Sequence, residues 1–320
     1  MSSLNISVII PCYNASKTIR ETLDSLKAQT LLPFEVICVN DGSRDDTENV
    51  IAEYCEKEPQ LNIKLISQEN AGVSVARNIG IEVSTGEILV FIDADDKFSP
   101  AFLKSVVDGM EQGYDTVYGY FTHDESQIRG YALREKPTEC ERMQIMHEFM
   151  YDKGRFYSFA YSYKREIIDK HAIRFEEGVR YGEDWEFTTK YLDACRSGLQ
   201  LHEYVLFYRI VENSVTHTLT YAHTDAIGSA QRAEEYLKDS NSDFYGEFAS
   251  YMKHRAVFSV AHVFSKYRAK ELYKKLLAEY DVKKSMKKLS GNKNISRAIR
   301  LAALSFVISP SIFYNIVGRR

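Results

Sequence analysis

The chain has 320 residues, 44% hydrophobic and 27% charged, with 16 Gly and 6 Pro. That is enough apolar side chain for a sizeable core in one or two compact units, and it excludes collagen-like and wholly disordered chains. The net charge of −4 hides an asymmetry: Lys283, Lys284, Lys287, Lys288, Lys293, Arg297, Arg300, Arg319 and Arg320 place nine positive charges and no carboxylate in residues 283–320, which leaves −13 on the remainder.

In chain order, Ile6–Pro11, Phe34–Asn40, Ile63–Ser67, Glu87–Ile92 and Thr116–Phe121 read as strands, several apolar on both faces as buried parallel strands are. Helical patterns lie between them. Ser16 is placed to cap a helix with Ile19, Leu23 and Leu26 on one face, Asp45 and Glu48 read as a capping box, and Ser99-Pro100 reads as an N-cap followed by an N1 proline. Strands alternating with helices predict an α/β fold, a doubly wound and mostly parallel sheet with helices on both faces, whose ligands bind beyond the carboxyl ends of the strands. Residues 122–222 are mixed, with a helix expected over Trp185–Ala194 and a strand over Val205–Ile210. From Pro137 to Pro310 there is no proline, and Tyr236, Phe244, Phe248, Met252 and Val257 keep helical spacing, so the last third is predicted to be helical.

Cys12, Cys38, Cys55, Cys140 and Cys195 are odd in number, widely spaced and form no C-x-x-C, which fits a reducing compartment. The first residues lack the basic region of a signal peptide. The run Leu301–Val317 contains Pro310 and polar residues and falls short of the roughly 20 residues of a membrane span. Twenty-two Tyr and 17 Phe against one Trp suit sugar or lipid contacts, or equally packing against a polar rim.

Polar residues gather at two strand ends, Val39-Asn40-Asp41-Gly42-Ser43 and Phe91-Ile92-Asp93-Ala94-Asp95-Asp96. Carboxylates two apart at a strand end can share one cleft, and such oxygen ligands suit Mg²⁺ or Mn²⁺ bound together with phosphates. The alternative is that these aspartates are turn formers and helix caps. No Ser/His/Asp or Cys/His nucleophile arrangement and no Gly-x-x-x-x-Gly-Lys phosphate loop is present.

These segments, with Ser7-Val8-Ile9-Ile10-Pro11-Cys12-Tyr13-Asn14, Asn70-Ala71-Gly72-Val73-Ser74-Val75-Ala76-Arg77-Asn78-Ile79-Gly80 and Gly182-Glu183-Asp184-Trp185-Glu186-Phe187, occur in the order seen in family 2 inverting glycosyltransferases of the GT-A fold, bacterial surface-polysaccharide type, and the chain resembles that family over roughly residues 5–220. The resemblance implies that Pro11 and Tyr13 line a nucleotide base pocket, that Asp41 accepts from a uracil or thymine N3–H, that Arg77 lies near base and diphosphate, and that Asp93 approaches the ribose. Asp95 would ligate the metal, Mn²⁺ or Mg²⁺, with His217 completing its shell and Arg209 meeting the diphosphate. Asp96 is left as a cap for the next element of the chain. Asp184 would be the general base, taking the acceptor hydroxyl's proton as its oxygen attacks the anomeric carbon. Glu183 could substitute or serve the helix dipole, and Trp185 could stack on a sugar or anchor its helix. Where many bacterial members read Trp-Asn-Lys-Leu-Tyr this chain has Phe159-Ala160-Tyr161-Ser162-Tyr163, which bears on the sugar and not on the chemistry.

On this reading residues 1–121 form a nucleotide-sugar-binding α/β half, 122–222 the acceptor-side half of the same catalytic domain, and 223–320 a C-terminal helical region with a basic amphipathic tail. The implied function is metal-dependent inverting transfer of a sugar from a nucleotide diphosphate donor, a UDP-sugar first, to a glycan or lipid-linked acceptor in surface polysaccharide synthesis. The alternatives are a non-catalytic membrane- or glycan-binding protein on the same fold and, third, a nucleotidyltransferase. The tail suits an anionic membrane surface at the cytoplasmic face, holding the protein there peripherally; packing on the acidic body or a homodimer contact are its other readings. No nucleic-acid partner is expected.

Overall fold

The computed structural model describes residues 4–128, 130, 135–151, 157–210 and 219–317. By internal packing the chain forms two units, residues 1–178 with 194–211, and residues 179–193 with 212–320.

The first unit begins with β1 (Ile6–Cys12), α1 (Ile19–Lys27), β2 (Glu35–Asp41), α2 (Thr47–Lys57), β3 (Ile63–Gln68), α3 (Val73–Val83) and β4 (Ile88–Phe91). Every residue of β1, β2 and β4 is buried, as their unbroken apolar runs require of strands covered on both faces. β1 pairs in parallel with β2 and β4, and β2 with β3. Helix α3 packs across β1 and β2, so closely that a Cβ on Gly80 would stand 2.3 Å from Ile9 Cγ2.

The chain continues through β5 (Lys97–Phe98), α4 (Phe102–Glu111), β6 (Thr116–Thr122), β7 (Thr138–Glu141), α5 (Arg142–Tyr151), β8 (Ser162–Lys164) and α6 (Arg165–Lys170). β8 closes the main sheet antiparallel to β4, giving the order β3-β2-β1-β4-β8. The fifth expected strand therefore does not extend that sheet: β8 takes the free edge of β4, and β6 instead pairs with β9 (Ser197–Phe207) in a second sheet with β5 and β7. Of the strand expected at 205–210, residues 205–207 are the end of β9, whose earlier, more polar residues hid its length, and 208–210 lie beyond it.

The second unit holds α7 (Glu183–Ala194), which closes at the unit boundary, and then α8 (Asp225–Asp239), α9 (Tyr245–Lys266), α10 (Lys270–Glu279), α11 (Val282–Gly291), α12 (Arg297–Ile308) and α13 (Pro310–Val317). The fold class is thus the predicted one, α/β with a mostly parallel main sheet followed by a helical region. Pro310 does break the tail: α12 stops and the proline starts α13, where its missing N–H costs nothing. In α11, Val282, Met286 and Leu289 are buried against α9, whereas Lys283, Lys284, Lys287 and Lys288 are exposed. No helix among the described residues is long and apolar enough to cross a membrane.

The expected caps are corrected. The Ser16 amide donates to Asp45 and α1 starts three residues later. Asp45 accepts from the Thr47 amide, and Glu48 accepts from Asn40 Nδ2 and closes no box. After Ser99-Pro100 the helix waits until Phe102, whose amide donates to the Ser99 carbonyl. Ser16 and Glu48 thus pair with other elements, whereas Asp45 and Ser99 engage residues two and three further on without capping a helix.

Candidate functional site

The chain leaves β3, passes β1 and returns on its other side as β4, so the order of winding reverses between β1 and β4. In open α/β sheets that reversal opens a crevice at the carboxyl ends of the strands. The loops after β1, β2 and β4 line it.

Pro11 lies inside β1 opposite Val39 and is buried. Ile9 O accepts from the Ile92 amide of the β4 side, and by strand alternation Pro11 faces the same side two residues on. Pairing with β4 ends at Phe91, so its lack of an N–H breaks no ladder. The β1 and β2 loops are zipped together: the Asn14 amide donates to Ser43 Oγ at 3.0 Å, the Arg44 amide to Asn14 Oδ1 at 2.8 Å and the Ala15 amide to Thr47 Oγ1 at 2.7 Å. Tyr13 stands outside the zipper, 47% exposed.

Asp41 at the end of β2 is 3% exposed, and its carboxylate organises the loop before α3. Oδ1 accepts from Gln68 Nε2 and the Ala71 amide, both at 2.7 Å, and Oδ2 from the Gly72 amide at 2.9 Å and Asn70 Nδ2 at 3.1 Å. Gly42 beside it has φ +66°, and a Cβ there would meet the Asn70 amide nitrogen at 2.7 Å, so only glycine allows this turn.

The acidic loop after β4 brings three carboxylates together. Arg77, 3% exposed, donates to Asp93 Oδ1 at 2.8 Å with its guanidinium 4.4 Å from the Phe159 ring and 5.2 Å from the Phe175 ring. Wedged between rings, it anchors Asp93 from within the protein. Burial, and then the Asp93 charge, push Asp95 up to about 6. Asp96 is fully buried; burial, then the charges of Asp93 and Asp95, raise it well above the carboxylate range. It caps no helix. Its Oδ1 accepts from the Arg209 amide at 2.9 Å, and among the described residues its Oδ2 has no hydrogen-bond partner. Arg209 Nε donates to the Asp95 carbonyl at 2.9 Å and Nη2 to Glu21 Oε2 at 2.6 Å, so this side chain braces the acidic loop from behind.

Among the described residues no three His, Cys, Asp or Glu side chains converge as a metal cage. The donor set nevertheless fits a divalent cation: two partly exposed carboxylates, Asp93 and Asp95, repel one another, and Mg²⁺ or Mn²⁺ is ordinarily held by one or two carboxylates with substrate phosphates supplying the rest. His217 lies outside the described residues.

Asp184 is the second residue of α7, in the second unit, where the helix dipole favours a carboxylate. Glu183 before it is buried. Trp185 stacks on Phe248, ring centroids 5.4 Å apart, and so anchors its helix. Composition showed the aromatic load but not its placement: Phe121, His123, Tyr157 and Tyr208 cluster at the carboxyl ends of β6 and β9, with Tyr157 and Tyr208 centroids 5.1 Å apart. Tyr208 directly precedes Arg209 and so borders the acidic loop. Only pairing in the second sheet unites residues so distant in sequence.

Residues 7–172, just over half of the chain, match the sequence profile described as Glycosyl transferase family 2, and the chain belongs to that family. It is 30% identical over 220 residues to the uncharacterized glycosyltransferase EpsJ of Bacillus subtilis, covering 66% of this chain and 62% of that one. Over 194 residues it is 27% identical to the poly(ribitol-phosphate) beta-N-acetylglucosaminyltransferase TarP of Staphylococcus aureus, covering 58% of this chain and 57% of TarP. This chain therefore spans less than two thirds of the length of these relatives. Among solved structures, S. aureus TarS 1–349 in complex with UDP-GlcNAc superposes with a TM-score of 0.71 at 20% identity, over 99% of this chain and 91% of that one. The mannosyltransferase PcManGT of Pyrobaculum calidifontis, in complex with GDP-Man and Mn²⁺, superposes with a TM-score of 0.56 at 16% identity, over 100% and 88%. These likenesses establish a shared fold.

Proposed function

We propose that the chain is a metal-dependent inverting glycosyltransferase that moves a sugar from a nucleoside diphosphate donor, a UDP-sugar first, to a hydroxyl of a glycan or lipid-linked acceptor in surface polysaccharide assembly. The observation that carries this reading is the acidic loop after β4, with Asp95 raised to about 6 beside Asp93 at the crevice of a family 2 fold. Asp95 would hold Mn²⁺ or Mg²⁺, and Asp93, braced by Arg77, would approach the ribose. A cation there would neutralise charge growing on the departing diphosphate. Tyr13 and Pro11 would flank the base, with Asp41 shaping the loop beside it. Asp184 would accept the proton of the attacking hydroxyl. The TarS complex supports a UDP-sugar and PcManGT a divalent metal, while TarP, named for poly(ribitol-phosphate), supports a polymer as acceptor.

Peripheral attachment to an anionic membrane belongs to the same proposal. Leu301, Leu304 and Ile308 of α12 and Ile312 and Ile316 of α13 are 41–69% exposed, the lysines of the preceding α11 are exposed as well, and exposed apolar and basic side chains together suit a lipid interface.

The test is nucleoside diphosphate release from UDP-glucose, UDP-galactose, UDP-N-acetylglucosamine, UDP-N-acetylgalactosamine and GDP-mannose, with and without Mn²⁺. One donor should turn over in a metal-dependent way, and Asp184→Asn should lower its turnover roughly 10²- to 10⁴-fold with nucleotide binding kept. Failure of all five donors, or weakened binding with unchanged turnover in Asp184→Asn, refutes it.

A further inference from the structure

The stretch that carries Asp184 is built into the C-terminal helices, beyond the segment matched by the family profile. One face of α8 meets it at successive points. Asp225 Oδ2 accepts the Arg180 amide at 3.0 Å. Gly182, at φ +84°, lies so close to α8 that a Cβ would stand 3.2 Å from both Ala226 Cα and Ser229 Cβ. Ser229 Oγ donates to the Tyr181 carbonyl at 3.2 Å. Arg232 then grips Glu186, its Nε 3.1 and 3.0 Å from the two carboxylate oxygens and its Nη2 at 2.7 Å.

Glu186 is 1% exposed and takes a second cation, Lys190 Nζ, at 2.7 Å. A buried carboxylate is tolerated only when so compensated, and a forked guanidinium fixes its direction as well as its charge. The Glu186 amide closes the first helical bond to the Gly182 carbonyl at 2.9 Å. Asp184 therefore sits midway between two anchors that α8 holds, Gly182 and Glu186.

We infer that Arg232 and Glu186 are positioning residues for Asp184, and that the C-terminal helical region serves as the template that aims the base. The inference rests on Asp184 being the general base. A reacting group displaced by about 1 Å can lose roughly 10²-fold in rate, so a clamp that fixes the first turn of α7 acts on turnover before it acts on donor affinity.

The experiment measures nucleoside diphosphate release from the fastest of the five donors by the full chain. Arg232→Gln should lower kcat roughly 10-fold or more with donor KM unchanged, and Arg232→Lys should recover part of the loss. Placed on Asp184→Asn, Arg232→Gln should add nothing, because the group it positions is gone. An unchanged kcat with Asp184→Asn inactive overturns the inference alone, as does an equal loss on both backgrounds. Full activity of Asp184→Asn overturns the base reading and the inference with it. If Arg232→Gln does not fold, Glu186→Gln, isosteric and uncharged, is read by the same criteria.

Discussion

Glu35, at the start of β2, is fully buried, and its charge makes the stability of the first unit depend on pH. Ser7 Oγ and Lys64 Nζ donate to it at 2.6 Å, and Thr85 donates through its amide at 2.6 Å and its hydroxyl at 3.1 Å. Burial works against the ionised form, but Lys64 and then the Ser7 and Thr85 hydrogen bonds outweigh it and hold the carboxyl at about 2 against its ordinary 4.5. A folded-state value below the unfolded one stabilises above the unfolded value, and that stability is lost as pH falls toward the folded value. At about 1.4 kcal/mol per tenfold change in proton affinity, Glu35 contributes about 3 kcal/mol at pH 7 and about 2 kcal/mol at pH 3.5. Glu35→Gln removes the contribution at both, so the stability gap between wild type and variant should narrow by about 1 kcal/mol over that range. All five cysteines are free and lie in the first unit, four of them buried. Urea unfolding followed by pulsed reaction with dithiodipyridine therefore reads the unit in question, even in acid. A gap that stays constant or widens toward pH 3.5 refutes the assignment.

Asp95→Asn should abolish most Mn²⁺-dependent nucleotide release while leaving the far-ultraviolet circular dichroism and Tm unchanged, since it relieves repulsion and deletes no core contact; retained activity contradicts the metal role. Gly80→Ala would put its Cβ 2.3 Å from Ile9 Cγ2, lifting α3 and with it Arg77, and should cost about 1–3 kcal/mol in urea unfolding; a neutral substitution means that helix and strand can part freely. Replacing Leu301, Ile308 and Ile312 with Ser should cut sedimentation with anionic vesicles roughly 10²-fold at unchanged Tm, because the three side chains are exposed, and equal binding of both proteins dismisses the tail as anchor.

Local pattern carries far in this chain because parallel strands covered on both faces must be apolar throughout: the strands β1, β2 and β4 and the acidic loop after β4 can be read from residues alone, whereas β3, at the sheet edge, has no fully buried residue. The motif containing Asp184 is equally legible, and so is the helical character of the last third, where Phe244, Phe248 and Val257 are buried while Tyr236 and Met252 are half-buried. Ordering the strands was beyond such reading, since an edge of β4 is open to either β6 or β8 and only packing chooses between them. The capping signals failed for the same reason: Ser16 and Asp45 pair with one another across 29 residues and Glu48 accepts from Asn40 of β2, partners that a linear reading does not contain. Partner choice is equally non-local for the arginines: the guanidinium groups of Arg77 and Arg209 bond to Asp93, Glu21 and the Asp95 carbonyl. The grip of Arg232 on Glu186 spans 46 residues and leaves no local signature, because a buried ion pair is defined by the fold that excludes water from it.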